Sequence, residues 1–231
     1  MKKIYQSVFF DLDNTLWDFN TNSRRAFHVL YDKYGFREKG ISFDHLNTVY
    51  HKHNDALWEA YRQGKTDKQT LRWKRFFLTL QELGIPDMTL ARKLDHDYIE
   101  TSKSMTGLVD GAIDILEYLK PKYKLFLLTN GFNEVQFTKI RNSGLEPYFE
   151  KIITSEMAGI LKPHPDFFKY ALRRTNRNPQ TSVMIGDDPE TDIRGAANAD
   201  IETVLFNPSG APHDSRPGYE IQRLEEIKKI L

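Results

Sequence analysis

A run of acidic residues directly after an apolar segment constrains this chain more than any other feature of its sequence. Residues 4–10 are largely apolar, with β-branched and aromatic members, and predict a buried strand. Asp11, Leu12 and Asp13 follow at once. Because side chains alternate along a strand, Asp11 and Asp13 are expected on one side of it. They would lie at its carboxyl end, where open α/β sheets bind ligands.

Two carboxylates in that position repel each other, and burial deprives both of solvation. A divalent cation is the simplest way to neutralise them, and Mg²⁺ takes oxygen ligands while leaving room for phosphate oxygens. The alternative interpretation is a strand-end turn in which the Asp and Asn side chains only cap the backbone. The remainder of the chain distinguishes between the two interpretations.

The composition argues against several other classes of protein. The 231 residues carry a formal net charge of +1, which gives no support for a nucleic-acid or membrane-surface partner. The chain contains no cysteine, so it has neither disulfides nor thiolate chemistry. No apolar run approaches the roughly 20 residues that span a bilayer, and residues 1–7 lack the features of a signal peptide. We expect a soluble cytoplasmic protein, monomeric or homodimeric, with no nucleic-acid or membrane partner.

Apolar positions at helical spacing dominate residues 21–103. They predict helices over about 22–34, 43–62, 66–84 and 86–102, with no convincing strand between them. This block is expected to be an all-helical domain. Because it directly follows the first strand, we expect it to act as a cap above the carboxyl end of the sheet.

Strand and helix patterns alternate from residue 107 onward. They predict strands at 124–130, 151–155, 182–188 and 202–207, and helices at 111–119, 134–142, 166–175, 191–198 and 224–230. Such alternation implies βαβ crossovers and a parallel sheet. The predicted fold class is α/β, with a Rossmann-like parallel sheet core of three layers (α/β/α) in residues 1–20 and 104–231. The all-helical cap is inserted at 21–103.

Three further polar clusters follow apolar segments of the predicted sheet. They are Thr129-Asn130-Gly131, Lys162 before Pro163, and Asp187-Asp188 with Asp192 at the start of the next helix. Taken singly, each has an ordinary explanation as a turn, a solvated lysine or a helix cap. Together they supply acids, hydroxyl or amide donors and a cation on one edge of a parallel sheet. That set suits phosphoryl transfer.

With these residues in place, the chain resembles the haloacid dehalogenase-like hydrolase superfamily. The segments DLDNT, TNG, KP and GDDPETD occur in the order of its four motifs, and the resemblance covers the whole chain. The inserted helices look like the helical cap of that superfamily. The segments LWEAYRQGKTDKQTLRWKRF and LLTNGFNEVQ make the chain most similar to the house-cleaning pyrimidine 5′-nucleotidases.

The resemblance implies roles for the acidic residues. Asp11 would be the nucleophile that forms an aspartyl phosphate, and Asp13 the general acid and then the base. Mg²⁺ would be bound by Asp11, by the backbone carbonyl of Asp13 and by Asp187. Asp188 and Asp192 belong to the same acidic motif, and either could complete the metal shell.

The resemblance also implies a phosphate-binding group. Thr129, the backbone of Asn130 and the adjoining Gly131 would bind the transferring phosphoryl group, while Lys162 would neutralise the Asp11–phosphate pair. Trp17 lies where the predicted cap joins the core. It is a candidate for contact with a substrate base, although hinge packing would explain it as well.

The resulting hypothesis is a Mg²⁺-dependent phosphomonoesterase with an aspartyl-phosphate intermediate. Its partner would be a small phosphorylated metabolite, namely a (deoxy)pyrimidine nucleoside monophosphate. The alternative is a phosphatase or mutase that acts on sugar phosphates or other small phosphometabolites. A haloacid dehalogenase is disfavoured because it needs no acid at Asp13, and a phosphorylated signalling receiver is disfavoured because of the large insertion after Asp11.

Overall fold

In the computed structural model, which describes residues 4–231, the strands form one parallel sheet. The strands in this part of the chain are β1 (Ser7–Phe10), β2 (Lys124–Thr129), β3 (Lys151–Thr154), β4 (Ser182–Gly186), β5 (Glu202–Phe206) and β6 (Tyr219–Ile221). Their order is β3-β2-β1-β4-β5-β6, and every neighbouring pair is parallel. The first strand therefore lies between β2 and β4. This sheet and its flanking helices confirm the predicted fold class.

The α-helices of the same residues are α1 (Phe19–Lys33), α2 (Phe43–Arg62), α3 (Lys68–Glu82), α4 (Met88–Ser102), α5 (Ala112–Leu119), α6 (Asn133–Asn142), α7 (Ser155–Ala158), α8 (Pro165–Thr175) and α9 (Gly195–Ala197). Short 3₁₀-helices occupy Glu146–Tyr148, Pro179–Thr181 and Leu224–Lys229, and a π-helical segment occupies Pro189–Arg194. Within residues 4–231, no helix is both long enough and apolar enough to cross a membrane.

The chain divides into two compact units, one of them all-helical. The helical unit is Asn20–Met105, and the sheet-containing unit consists of residues 4–19 together with Thr106–Leu231. The predicted core included residues 1–3, which lie outside the described residues.

The helical unit has an aromatic core to which each of its four helices contributes a ring. Phe27, Tyr50, Phe76 and Tyr98 are all at least 95 % buried, and the ring centroids of Phe27 and Tyr50 are 4.1 Å apart. The rings of Phe76 and Tyr98 lie 5.7 Å apart in a tilted arrangement. Large aromatic side chains bury much apolar surface at low entropic cost, so this unit has a hydrophobic core of its own.

The sheet is buried on both faces, as a parallel sheet between helices must be. All four residues of β1 are buried. On one face, Phe9 and Phe126 lie 5.3 Å apart between ring centroids and pack in a cluster that includes Phe167 and Phe168 of α8. This packing anchors the ends of β1 and β2, from which polar side chains emerge.

Several predicted elements differ from the structure. The first strand begins at Ser7 rather than at residue 4, and the helix predicted at 224–230 is a 3₁₀-helix over Leu224–Lys229. The helix predicted at 191–198 is the π-helical segment Pro189–Arg194 followed by the single turn α9. Its wider first turn has both Asp192 N and Ile193 N donating to the carbonyl of Asp188, at 3.1 and 3.3 Å. Strand β6 and helix α7 were not predicted, since each has only three or four residues.

Candidate active site

The carboxyl ends of the three central strands carry the acidic and hydroxyl side chains. Thr129 is the last residue of β2, Asp11 follows β1, and Asp187 follows β4. Asp11 still belongs to the sheet through its backbone, because its N–H donates to the carbonyl of Ile185 at 2.9 Å. Neighbouring parallel strands end at one edge of the sheet, so these three side chains share that edge.

Lys162 is the buried cation of this edge. Its Nζ donates to Oδ1 of Asp11 at 2.6 Å, to Oδ1 of Asp192 at 2.6 Å and to the carbonyl of Leu128 at 3.0 Å. The three N–H bonds of the ammonium group are thus all used. Burial alone would lower the pKa of Lys162, but Asp11 and Asp192 raise it above its ordinary value. Lys162 is therefore charged at neutral pH despite being 2 % exposed.

Three carboxylates meet beside this lysine. One oxygen each from Asp11, Asp187 and Asp192 lies within 4.8 Å of the other two. Burial raises the pKa of Asp11 well above its usual value, and the charges of Asp192 and Asp187 add to that effect. Burial and the charge of Asp192 raise the pKa of Asp187 to about 8. The single positive charge of Lys162 does not balance three carboxylates. Clustered carboxylate oxygens are the donors that Mg²⁺ prefers. The donor set therefore fits this ion.

Asp188 and Asp192, which the sequence left as equivalent, have different surroundings. Oδ1 of Asp188 accepts hydrogen bonds from the N–H groups of Glu190 and Thr191, at 2.8 and 2.9 Å, and so caps the π-helical segment. Asp192 is 1 % exposed and is one of the three clustered carboxylates. A Cβ at Gly186 would lie 2.3 Å from Oδ2 of Asp192, so only glycine leaves room for that carboxylate.

The side chain of Asp13 lies in a separate polar environment. Its Oδ1 accepts from Nζ of Lys139 at 2.8 Å, and its Oδ2 accepts from Nε2 of Gln136 at 2.7 Å. Both donors come from α6 and are buried. Asp13 is outside the group of three carboxylates, and the resemblance implied a metal contact only for its backbone carbonyl.

The residues of the TNG segment contact one another and Lys162. Oγ1 of Thr129 accepts from the N–H of Gly131 at 3.1 Å. The side-chain amide of Asn130 makes two hydrogen bonds to the backbone of Lys162. Its oxygen accepts from the N–H of Lys162 at 2.8 Å, and its nitrogen donates to the carbonyl of Lys162 at 2.9 Å. Asn130 therefore holds the segment that carries Lys162 beside Asp11.

Trp17, the candidate for contact with a substrate base or for hinge packing, lies in the sheet-containing unit. Trp17 is completely buried, and Nζ of Lys139 lies 4.0 Å from the centroid of a ring in its side chain. The ring of Phe19 lies 6.3 Å away. The indole thus packs against Lys139, and its contact with a substrate base stays a prediction.

Sequence reasoning missed three polar residues at this edge of the sheet. Thr15 is buried and its hydroxyl donates to Oδ1 of Asp187 at 3.1 Å. Gln136 and Lys139 hold Asp13, and their three-residue separation places them on one side of α6. That spacing, on a helix directly after the TNG segment, was the available signal.

The chain is similar to known proteins over nearly its whole length. The family of haloacid dehalogenase-like hydrolases matches the chain over residues 5–200. The HAD-hydrolase YfnB of Bacillus subtilis is 31 % identical over 99 % of this chain and 96 % of its own length. A magnesium-bound crystal structure of YfnB superposes with a TM-score of 0.88 at 30 % identity, covering 99 % of each chain.

Two further relatives have named activities. The pyrimidine 5′-nucleotidase YjjG of Escherichia coli is 28 % identical, over 97 % of this chain and 96 % of its own length. The N-acylneuraminate-9-phosphatase of Homo sapiens is 30 % identical, over 98 % of this chain and 93 % of its own length. Both names describe the release of phosphate from a small metabolite.

Proposed function

The chain belongs to the haloacid dehalogenase-like hydrolase family, and from that premise we propose that it is a Mg²⁺-dependent phosphomonoesterase with Asp11 as its nucleophile. The single observation that carries the proposal is the environment of Asp11. Its buried carboxylate contacts the ammonium group of Lys162 and lies within 4.8 Å of two further carboxylates. A nucleophile in contact with a fixed cation, beside a site for a divalent ion, is what transfer of a dianionic phosphoryl group requires.

The proposed reaction consists of two successive displacements at phosphorus. In the first, an oxygen of Asp11 attacks phosphorus and the bond to the substrate's alcohol oxygen breaks, while Asp13 gives that oxygen a proton. In the second, Asp13 takes a proton from water, the water oxygen bonds to phosphorus, and the bond to Asp11 breaks. Inorganic phosphate leaves and both carboxyl groups return to their starting states.

Two other groups stabilise the charge on the phosphoryl oxygens, and a third holds one of them in position. Lys162 supplies positive charge, Thr129 supplies a hydroxyl donor, and Asn130 holds Lys162 in place. Mg²⁺ would be held by Asp11, Asp187 and Asp192. When it is bound, its positive charge offsets the negative charge of the carboxylates and of the substrate. We assign Asp188 to capping rather than to the metal, because its Oδ1 is occupied by backbone N–H groups.

The substrate class that we propose is a pyrimidine nucleoside monophosphate, with ribose or deoxyribose at the sugar. The similarity to YjjG over nearly the whole chain supports it. The alternative is a sugar phosphate, which the comparable similarity to N-acylneuraminate-9-phosphatase favours. We propose that the helical unit selects among these substrates, because it is inserted directly after β1 and none of the catalytic candidates belongs to it.

A phosphate-release screen tests this proposal. Purified protein with Mg²⁺ would be assayed against uridine and thymidine monophosphates, purine monophosphates, hexose and pentose phosphates, and p-nitrophenyl phosphate. The proposal expects pyrimidine monophosphates to have the highest kcat/KM. Preference for a sugar phosphate would establish the alternative, and failure to release phosphate from any member would refute the phosphatase assignment.

A further inference from the structure

Helix α6 presents two buried polar side chains to the edge of the sheet, although a helix packed against a sheet usually presents apolar ones. Gln136 is 1 % exposed and Lys139 is 4 % exposed. Burying an ammonium group is costly unless it is paired, and long polar side chains are rarely found at such depth without a function or a partner. Both side chains end at Asp13, which lies 123 and 126 residues away in the chain.

The two donors occupy both oxygens of the Asp13 carboxylate. Lys139 Nζ lies 2.8 Å from Oδ1, and Gln136 Nε2 lies 2.7 Å from Oδ2. A carboxylate bound at one oxygen can still rotate about its last torsion, whereas one bound at both has a single orientation. Lys139 is itself held by Trp17, because its Nζ lies 4.0 Å from the centroid of a ring of that indole.

Gln136 also sets the direction of the Thr129 hydroxyl. The amide nitrogen of Gln136 faces two acceptors, and one of its hydrogens is donated to Oδ2 of Asp13 at 2.7 Å. Its second hydrogen points to Oγ1 of Thr129, 2.7 Å away, which also accepts from the N–H of Gly131. Both lone pairs of Oγ1 are then in use, so the hydroxyl hydrogen of Thr129 has to point to another acceptor. A phosphoryl oxygen is such an acceptor.

Gly131 makes room for this arrangement. A Cβ on Gly131 would lie 2.1 Å from Nε2 of Gln136 and 2.4 Å from its carboxamide carbon. Any side chain at this position would push the Gln136 amide away from Asp13 and Thr129. The glycine of the TNG segment is thus explained by the path of Gln136, independently of any contact with phosphate.

We propose that Gln136 and Lys139 are positioning residues that hold Asp13 in the orientation needed for proton transfer, with Gln136 also fixing Thr129 as a donor. The inference rests on the proposed function, since it assigns supporting residues to the acid–base group of that reaction. A positioning role can be distinguished from a purely structural role of α6 by its effect on the reaction. A positioning defect weakens proton transfer to the leaving group, whereas a packing defect weakens all steps alike.

The test uses the ratio of kcat/KM for uridine monophosphate to kcat/KM for p-nitrophenyl phosphate. If the sugar-phosphate alternative holds, glucose 6-phosphate replaces the nucleotide. The alkyl ester needs a proton on its leaving oxygen, whereas p-nitrophenolate leaves without one. Both values come from one preparation, so any inactive fraction cancels from the ratio.

The expected results form a set. Asp13→Asn lowers the ratio by about 10²-fold, the lower end of what a positioned proton donor contributes. Lys139→Met and Gln136→Met each lower it by about tenfold or more, and Lys139→Arg restores most of the loss. Lys139→Met has no further effect in the Asp13→Asn background, because residues that act through one group are not additive. Arg141→Met, which removes an exposed charge from the same helix, leaves the ratio unchanged.

The outcomes that overturn the inference are distinct from failure of the proposed function. A parallel fall for both substrates in Lys139→Met and Gln136→Met, or a Lys139 effect that multiplies with Asp13→Asn, makes α6 structural and leaves the phosphatase assignment intact. A ratio unaltered by Asp13→Asn removes the acid–base role of Asp13 and this inference with it. A wild type that cleaves no phosphomonoester refutes both proposals at once.

Discussion

The Nζ of Lys162 lies 2.6 Å from Oδ1 of Asp11, although 151 residues separate the two in the chain. The same ammonium group is 2.6 Å from Asp192, so it stands between two buried carboxylates. Removing one partner of a buried ion pair leaves an uncompensated charge, which costs far more than the pair contributes. Lys162 is therefore expected to matter both to stability and to turnover.

Lys162→Met is expected to lower the free energy of unfolding by about 3–5 kcal/mol at pH 8 without metal, because Asp11 and Asp192 then lose their cation. Turnover should fall by at least about 10²-fold. Urea denaturation in EDTA and steady-state kinetics measure the two effects. Lys169→Met is the control on α8, since Lys169 pairs with Asp166 on the exposed surface and should change stability by less than about 0.5 kcal/mol. Similar small losses in the two variants would contradict the assignment.

The second prediction concerns the metal. Mg²⁺ should raise the melting temperature of the wild type through mass action, by an amount equivalent to about 2.7 kcal/mol at one hundred times its Kd. Asp187→Asn should abolish most of that rise, and EDTA should abolish activity. Asp188→Asn is the matched control, because asparagine caps a helical segment as well as aspartate does and the Mg²⁺ response should persist. Full turnover in excess EDTA would exclude the metal requirement.

The third prediction is a pH dependence of stability in the absence of metal. Burial raises the pKa of Asp187 to about 8, so the folded state holds a proton that the unfolded state releases near pH 4. The folded state binds more protons in that interval, so stability should fall as pH rises from 5 to 8, by at most about 1.4 kcal/mol per pH unit for this group.

Denaturation of the metal-free protein at several pH values measures this slope. The lowered pKa of half-buried His51 acts in the opposite direction near pH 6, so the informative quantity is the difference from Asp187→Asn. That variant should show a flatter profile and gain stability relative to wild type as pH rises. Identical pH profiles for the two proteins would show that burial does not raise the pKa of Asp187.

The elements that sequence reasoning predicted best are those whose signal is local. Helix α2 has the predicted bounds, and Asp67 caps α3 by accepting from the N–H of Thr70 at 2.8 Å. Apolar periodicity and capping residues act within a few residues of the chain, so they can be read directly from it. The order of polar segments at strand ends also placed Asp11, Thr129 and Asp187 on one edge.

The contacts that the sequence did not predict depend on distant segments. The spacing of Gln136 and Lys139 marks one side of α6, but it does not indicate that their side chains reach Asp13, which is 123 and 126 residues away in the chain. The orientation of the Trp17 indole depends on distant segments as well, since its proximity to Asp11 in the chain says little about which way the side chain points, and its contact with a substrate base stays a prediction. The π-helical segment was predicted only as part of a helix, because i to i+5 hydrogen bonds, such as the one from the N–H of Ile193 to the carbonyl of Asp188, have no signal in the sequence pattern.

Every step of the proposed reaction depends on the phosphorylation of Asp11 during turnover. Rapid quenching during turnover, followed by borohydride reduction, converts an aspartyl phosphate to homoserine, which peptide mass spectrometry locates in the sequence. We expect homoserine at position 11 only when substrate is present, and none in Asp11→Asn, whose turnover should fall by several orders of magnitude. Homoserine at another aspartate, or turnover by Asp11→Asn within tenfold of wild type, would contradict this expectation.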